Sequence, residues 1–183
     1  MTGMLEDAGG RWRLRFTRAL AHPPERVWRA ITEPEQLRAW FPHLITGGWA
    51  VGTDLTFTDP QGRGPEFSGQ VLAFEPPRLL EFRWGTDVIR LEIGPREGGC
   101  TLTLLDTLGE LGKAARDAAG WHECLDRLAC HLDGDAPTWR PGQRWAQVHP
   151  GYVASFGPRA AEIGPPPGYD PQPLDAMQEP SGG

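Results

Sequence analysis

The chain has 183 residues, 39% hydrophobic and 23% charged, with 24 acidic against 18 basic residues and a net charge of −6. A chain of this length buries about 70% of the surface it exposes when unfolded, so one domain with a true core needs no staples. The acidic balance excludes a nucleic-acid module, whose affinity rests on a basic face that meets phosphates.

Three cysteines (Cys100, Cys124, Cys130) are too few and too irregular for a disulfide framework. The opening MTGMLEDAGGRW lacks the apolar stretch of a signal peptide, and no run approaches about 18 apolar residues. No membrane contact is expected, and a reducing, cytoplasmic compartment is the default. All but one of the 18 basic residues are Arg, the exception being Lys113, a bias that reads as codon usage rather than chemistry.

Residues 1–10 read as a flexible N-terminus. Residues 11–21 then read as a strand, because Trp12, Leu14 and Phe16 alternate with Arg11, Arg13 and Arg15. Pro24 suits a first helical turn ahead of ERVWRAI. Thr32-Glu33-Pro34-Glu35 has the spacing of a capping box, which predicts a second short helix reaching about Trp40.

Strand-length runs follow at 44–50, 53–59, 66–75, 78–84, 87–94 and 100–107, closed by Val51-Gly52, Pro76-Pro77, Gly85-Thr86 and Gly98-Gly99. Such short links imply antiparallel neighbours. Alternation is clean at Leu55/Phe57, Leu80/Phe82/Trp84, Ile89/Leu91/Ile93 and Leu102/Leu104, whereas 66–75 is apolar on both faces and its register stays open.

The strongest periodicity comes next. Leu111, Ala114, Ala115, Ala118, Trp121, His122, Leu125, Leu128, Ala129 and Leu132 recur at spacings of three and four. They predict one helix of about 23 residues and about 35 Å. From Ala136 onward the chain carries ten of its 19 prolines. Trp139, Trp145, Tyr152 and Phe156 in this stretch are costly to leave in water, so the Pro/Gly-rich extension 136–183 is expected to be anchored to about Gly157 and disordered after about Gly164.

The order of elements predicts an α+β fold. A curved antiparallel sheet of about seven strands, with two short helices after its first strand, is covered by the long C-terminal helix. Phe16–Phe41 (FTRALAHPPERVWRAITEPEQLRAWF), Val51-Gly52 before Leu55–Phe57, Pro76–Trp84 (PPRLLEFRW) and Gly120–Leu132 (GWHECLDRLACHL) resemble the helix-grip, START-like (SRPBCC) superfamily. Within it they resemble the AHSA1-like group, named after the C-terminal domain of the Hsp90 ATPase activator. The resemblance covers about residues 11–135 and implies a cavity between sheet and helix, used in different relatives for lipids, hormones, polyketides or drugs. It implies no single reaction.

The residues allow such a hollow. Small Ala114, Ala115, Ala118 and Ala119 face aromatic strands, although the same alanines equally suit close packing. The expected walls are Trp49, Phe57, Phe82, Trp84, Trp121 and Leu125. The expected polar groups are His122, Arg18 and Asp106, the last two on the inward parity of their strands unless strand twist brings them to solvent. His122 equally suits a satisfied edge position.

The first expectation is a non-enzymatic binding protein for a hydrophobic small molecule, without cofactor. An enzyme of the polyketide cyclase or hydrolase kind, using His122 and Asp106 in the same cavity, is the alternative. A chaperone partner like the family's namesake comes third. A metal site among His122, Cys124, Cys130 and His131 is rejected, since His122 and Cys124 point about 200° apart on a helix. No nucleophile motif stands around Ser68 or Ser155. The extension suggests either a lid over the cavity or a homodimer contact.

Overall fold

The computed structural model describes residues 2–165. Eight antiparallel strands form one sheet in the order β1-β2-β8-β7-β6-β5-β4-β3. They are β1 (Met4–Asp7), β2 (Trp12–Leu20), β3 (Leu44–Thr46), β4 (Asp54–Thr58), β5 (Phe67–Glu75), β6 (Leu79–Trp84), β7 (Asp87–Arg96) and β8 (Gly99–Thr107). Helices α1 (Pro24–Thr32) and α2 (Pro34–Leu37) follow β2, and α3 (Ala114–Asp133) crosses the sheet after a 3₁₀ turn at Leu111–Lys113. This is the helix-grip arrangement.

Alternation decides the sheet. Leu14, Phe16, Leu55, Phe57, Leu80, Phe82, Ile89, Leu91, Leu102 and Leu104 are buried against the helices. The other face is charged: Arg90 pairs with Glu81 and Glu92, and Glu6 with Arg13 and Arg15. The open register of β5 is resolved by a bulge between Val71 and Ala73. Before it Val71 points inward, and beyond it Phe74 packs on Trp28 of α1. Gly69 in the same strand allows close approach, because a Cβ there would lie 1.9 Å from the Arg83 carbonyl oxygen.

Helix α3 buries Ala114, Ala115, Ala118, Trp121, Leu125, Leu128 and Leu132 in the core. It ends at Gly134, whose φ of 81° lets its N–H reach the carbonyls of Cys130 and His131. Among the described residues no helix is long and apolar enough to cross a membrane.

The structure corrects several expectations. The N-terminus expected to be flexible contains β1, which is held to β2 by the Glu6–arginine pairs, while the Gly3 N–H just before it donates to the Tyr152 hydroxyl in the extension at 2.9 Å. This adds an eighth strand to the expected seven. The Thr32–Glu35 capping box does not form. Thr32 is the last residue of α1, its hydroxyl donates to the Trp28 carbonyl at 2.7 Å, and Glu33 takes the N-cap position of α2.

The extension contributes a fourth helix, α4 (Gln143–Phe156), packed on α3. Its attachment runs past Gly157, since Ala160 is buried and the Ile163 N–H donates to the Gly112 carbonyl at 2.9 Å. The expected disorder after about residue 164 falls almost wholly outside the described residues.

Candidate functional site

At one end of the layer, α3 and the sheet diverge around a cavity of about 410 Å³ that opens to the outside. Its walls come from Pro42 and His43 before β3, Phe67 of β5, the turn from Trp84 to Asp87, the first half of α3 and Trp145 of α4. The aromatic rings support one another. Trp84 lies 5.5 Å from Trp121 and 5.9 Å from Phe67, and His43 lies 5.0 Å from Phe67.

Trp145 reaches this place because of Glu123. This buried carboxylate of α3 accepts the backbone N–H groups of Gly142 (2.8 Å) and Trp145 (2.9 Å) at the start of α4. The positive end of the helix dipole favours an anion there. The Trp145 indole N–H then donates to the Arg116 carbonyl at 3.0 Å.

The polar end of the cavity is built from three elements. Asp87, at the start of β7 and 1% exposed, accepts from the Gly109 N–H (2.7 Å), the Thr86 hydroxyl (3.3 Å) and the Lys113 ammonium (2.5 Å). Asp117, on α3, accepts from Arg116 Nε at 2.7 Å, with the Lys113 ammonium 3.6 Å away. Asp106 of β8 is 0% exposed, and its Oδ2 accepts from the Trp121 indole N–H at 2.8 Å.

Each of these three carboxylates places an oxygen within 4.8 Å of the other two, a spacing that hard-cation ligands use, but the Lys113 ammonium already lies against two of them. Asp106 Oδ1 and Asp117 Oδ2 have no hydrogen-bond partner among the described residues. Burial, reinforced by the charges of Asp87 and Asp117, pushes the Asp106 carboxyl well above the usual range. Burial also raises that of Asp117, against the pull of Arg116 and Lys113. Cys124 on the wall is pushed up to about 12 by burial and stays a thiol. His43 is held below its ordinary value by desolvation.

The sequence model of the family described as "Activator of Hsp90 ATPase homolog 1-like protein" matches residues 21–133, well over half of the chain. The chain belongs to that family. Its fold recurs in the conserved protein EF2215 of Enterococcus faecalis, with a TM-score of 0.70, 21% identity, and coverage of 84% of this chain and 90% of that one. CalU16 of Micromonospora echinospora matches with a TM-score of 0.66 at 24% identity, covering 85% and 94%. Protein NE0264 of Nitrosomonas europaea matches at 0.57 and 23%, covering 67% and 94%. At these identities the likeness concerns the fold. No curated protein matches the chain.

For this member of the Activator of Hsp90 ATPase homolog 1-like family, the expected site residues separate into three groups. Trp84 and Trp121 line the cavity, with Asp106 directly behind Trp121. Phe57, Phe82 and Leu125 are core residues outside the lining; Phe57 stacks between Phe67 and Phe82. Trp49 packs on Phe82 and donates its indole N–H to the Thr32 carbonyl at 2.7 Å, so it serves the α1 end.

Arg18 and His122 belong to a different cluster. Arg18 lies 3.7 Å from Asp126, and His122 Nδ1 lies 2.9 Å from the Tyr152 hydroxyl, so the cyclase alternative loses its histidine from the cavity wall. The alanines of α3 are fully buried core residues and lie outside the lining.

Sequence reasoning missed Lys113, Asp87, Asp117, Gly120, His43 and Phe67. One signal was present: Lys113 is the chain's single lysine, and it stands four residues before Asp117.

Proposed function

We propose that the protein binds a small apolar or aromatic molecule in the cavity between β6–β7, α3 and α4. The observation that carries this reading is an open, aromatic-walled hollow with polar groups gathered at one end, the usual form of a small-molecule site. Its volume of about 410 Å³ lies in the range of about 300–1,000 Å³ typical of such sites. Family membership agrees, since the helix-grip fold is commonly a ligand-binding fold.

Gly120 supplies the test. It lines the cavity from α3, and a Cβ built there meets nothing within 4 Å. Gly120→Leu therefore fills the hollow while favouring the helix. Titration with N-phenylnaphthylamine, followed by its fluorescence, should show binding to the wild type and a loss of about tenfold or more in the variant, or about 1.4 kcal/mol. The thermal midpoint should be kept or raised. Equal affinity of the two proteins, or none in the wild type, overturns the proposal.

A further inference from the structure

We infer that the C-terminal extension sets the length of ligand the cavity accepts, and that Trp145 of α4 is the residue that limits it. The inference rests on the binding reading above and deepens it. Among the described residues that line the cavity, all but Trp145 fall within residues 21–133, the span the family model matches. The wall toward α4 is therefore supplied by a segment outside that span.

Trp145 is held from three directions. Its backbone N–H donates to Glu123 at 2.9 Å, and its indole N–H donates to the Arg116 carbonyl at 3.0 Å. Its ring stacks on His149, with centroids 4.2 Å apart and planes 14° from parallel. A ring fixed at its backbone, its edge and its face keeps its place with no ligand bound. A ligand then meets a preorganised boundary and not a side chain free to swing aside.

The opposite wall leaves room. Arg116, Gly120 and Cys124 follow one another at spacings of four, which places them on one stripe of α3. Gly120 in the middle carries no side chain, and a Cβ there meets nothing within 4 Å. The charged wall groups Lys113, Arg116, Asp87 and Asp117 pair with one another and sum to zero, so an uncharged ligand leaves none of them unmatched. Truncating Trp145 lengthens the hollow toward His149, the ring now stacked on it.

The test uses uncharged probes with one head and a growing tail: 4-ethylphenol, 4-butylphenol and 4-octylphenol, titrated calorimetrically into the full chain. While a tail fits, each buried methylene tightens binding about fourfold. In the wild type the gain should stop short of octyl. In Trp145→Ala it should run further and raise the octyl-to-ethyl affinity ratio by about tenfold or more, the worth of two methylenes. Trp145→Phe, which keeps an aromatic packing partner in α4 should the alanine variant not fold, should raise the ratio by about threefold, near one methylene. A gain that already runs through octyl in the wild type, or a ratio unchanged by substitution, overturns the inference and leaves the cavity reading standing. A uniform loss along the series does the same, since Trp145 would then only hold α4 in place. Failure of the wild type to bind any of the phenols or N-phenylnaphthylamine overturns the cavity reading itself.

Discussion

Helix α3 carries a polar cluster on each of two sides, and the two are balanced in opposite senses. Toward α4, the single carboxylate of Asp126 is faced by Arg144 at 3.2 Å, His122 at 3.6 Å and Arg18 at 3.7 Å. His122 in turn meets the Tyr152 hydroxyl, which accepts the Gly3 N–H. Toward the cavity, three carboxyl groups share one lysine and one arginine.

The first cluster joins segments that lie outside the matched family region: Gly3, Arg18, Arg144 and Tyr152 all fall beyond residues 21–133. It closes the molecule. The second borders an opening, and its excess carboxyl, Asp106, is fully buried and raised well above the usual range. Each cluster leaves buried polar atoms without a hydrogen bond among the described residues, Arg18 Nη2 and Arg144 Nε in the first and Asp106 Oδ1 and Asp117 Oδ2 in the second, so what separates them is the opening that the second borders.

Breaking the stitch should have the largest effect. Tyr152 is 1% exposed, meets Phe16 edge-on at 6.3 Å, and holds both His122 and Gly3. Tyr152→Ala should cost about 3–5 kcal/mol in urea denaturation, the usual range for a large aromatic in a core. Hydrogen exchange should quicken in β1 and α4 while the inner strands β6–β8 stay protected. A loss below about 1 kcal/mol would show that these segments do not depend on the cluster.

Acid and base should act on the two clusters in opposite directions. Burial holds His122 below its ordinary value, so the unfolded chain takes up a proton first as the pH falls through about 6.5, and stability is lost on acidification. Asp106 is raised above its unfolded value. Its contribution is full below about pH 3.9 and is lost as the pH climbs toward the folded pKa, by up to about 1.4 kcal/mol per pH unit. Asp106→Asn should therefore gain on the wild type as the pH rises, and His122→Gln should gain on it as the pH falls. Urea midpoints across mildly acidic to mildly basic buffers measure both gaps, and gaps that stay constant with pH contradict the assignment.

The sheet and α3 were legible because their signals are local. Leu80/Phe82 and Ile89/Leu91/Ile93 alternate within one strand, and the apolar stripe of α3 repeats within one helix. Strand β1 was not legible, because MLED has no strong alternation and its anchor, Tyr152, stands 149 residues from Gly3. The same reason hid the polar end of the site. A charged residue on a helix normally faces water, so beyond the single lysine and its spacing of four, Lys113 and Asp117 gave no sign of their role. Only the meeting of the start of β7, strand β8 and the start of α3 makes them one group. Trp84 and Trp121 were legible as inward aromatics, but the residues expected beside them, Phe57 and Phe82, were used up in filling the core.

The smallest effect sharpens the contrast at the level of one methyl group. Gly120 stands on the cavity side of α3, where a Cβ meets nothing within 4 Å, so no packing term opposes a substitution. Glycine inside a helix costs about 0.5–1 kcal/mol relative to alanine through backbone entropy alone. Gly120→Ala should therefore raise stability by about that amount in urea denaturation, while leaving most of the hollow open to N-phenylnaphthylamine. On the core side of the same helix the opposite sign is expected. There Ala118 is fully buried in the core, and Ala118→Leu should overpack it at a cost of about 1–3 kcal/mol. A stabilising Gly120→Ala beside a destabilising Ala118→Leu would place the spare room on one side of α3. Destabilisation by both would mean that the cavity wall is packed as tightly as the core, and the distinction between the two sides of the helix would fail.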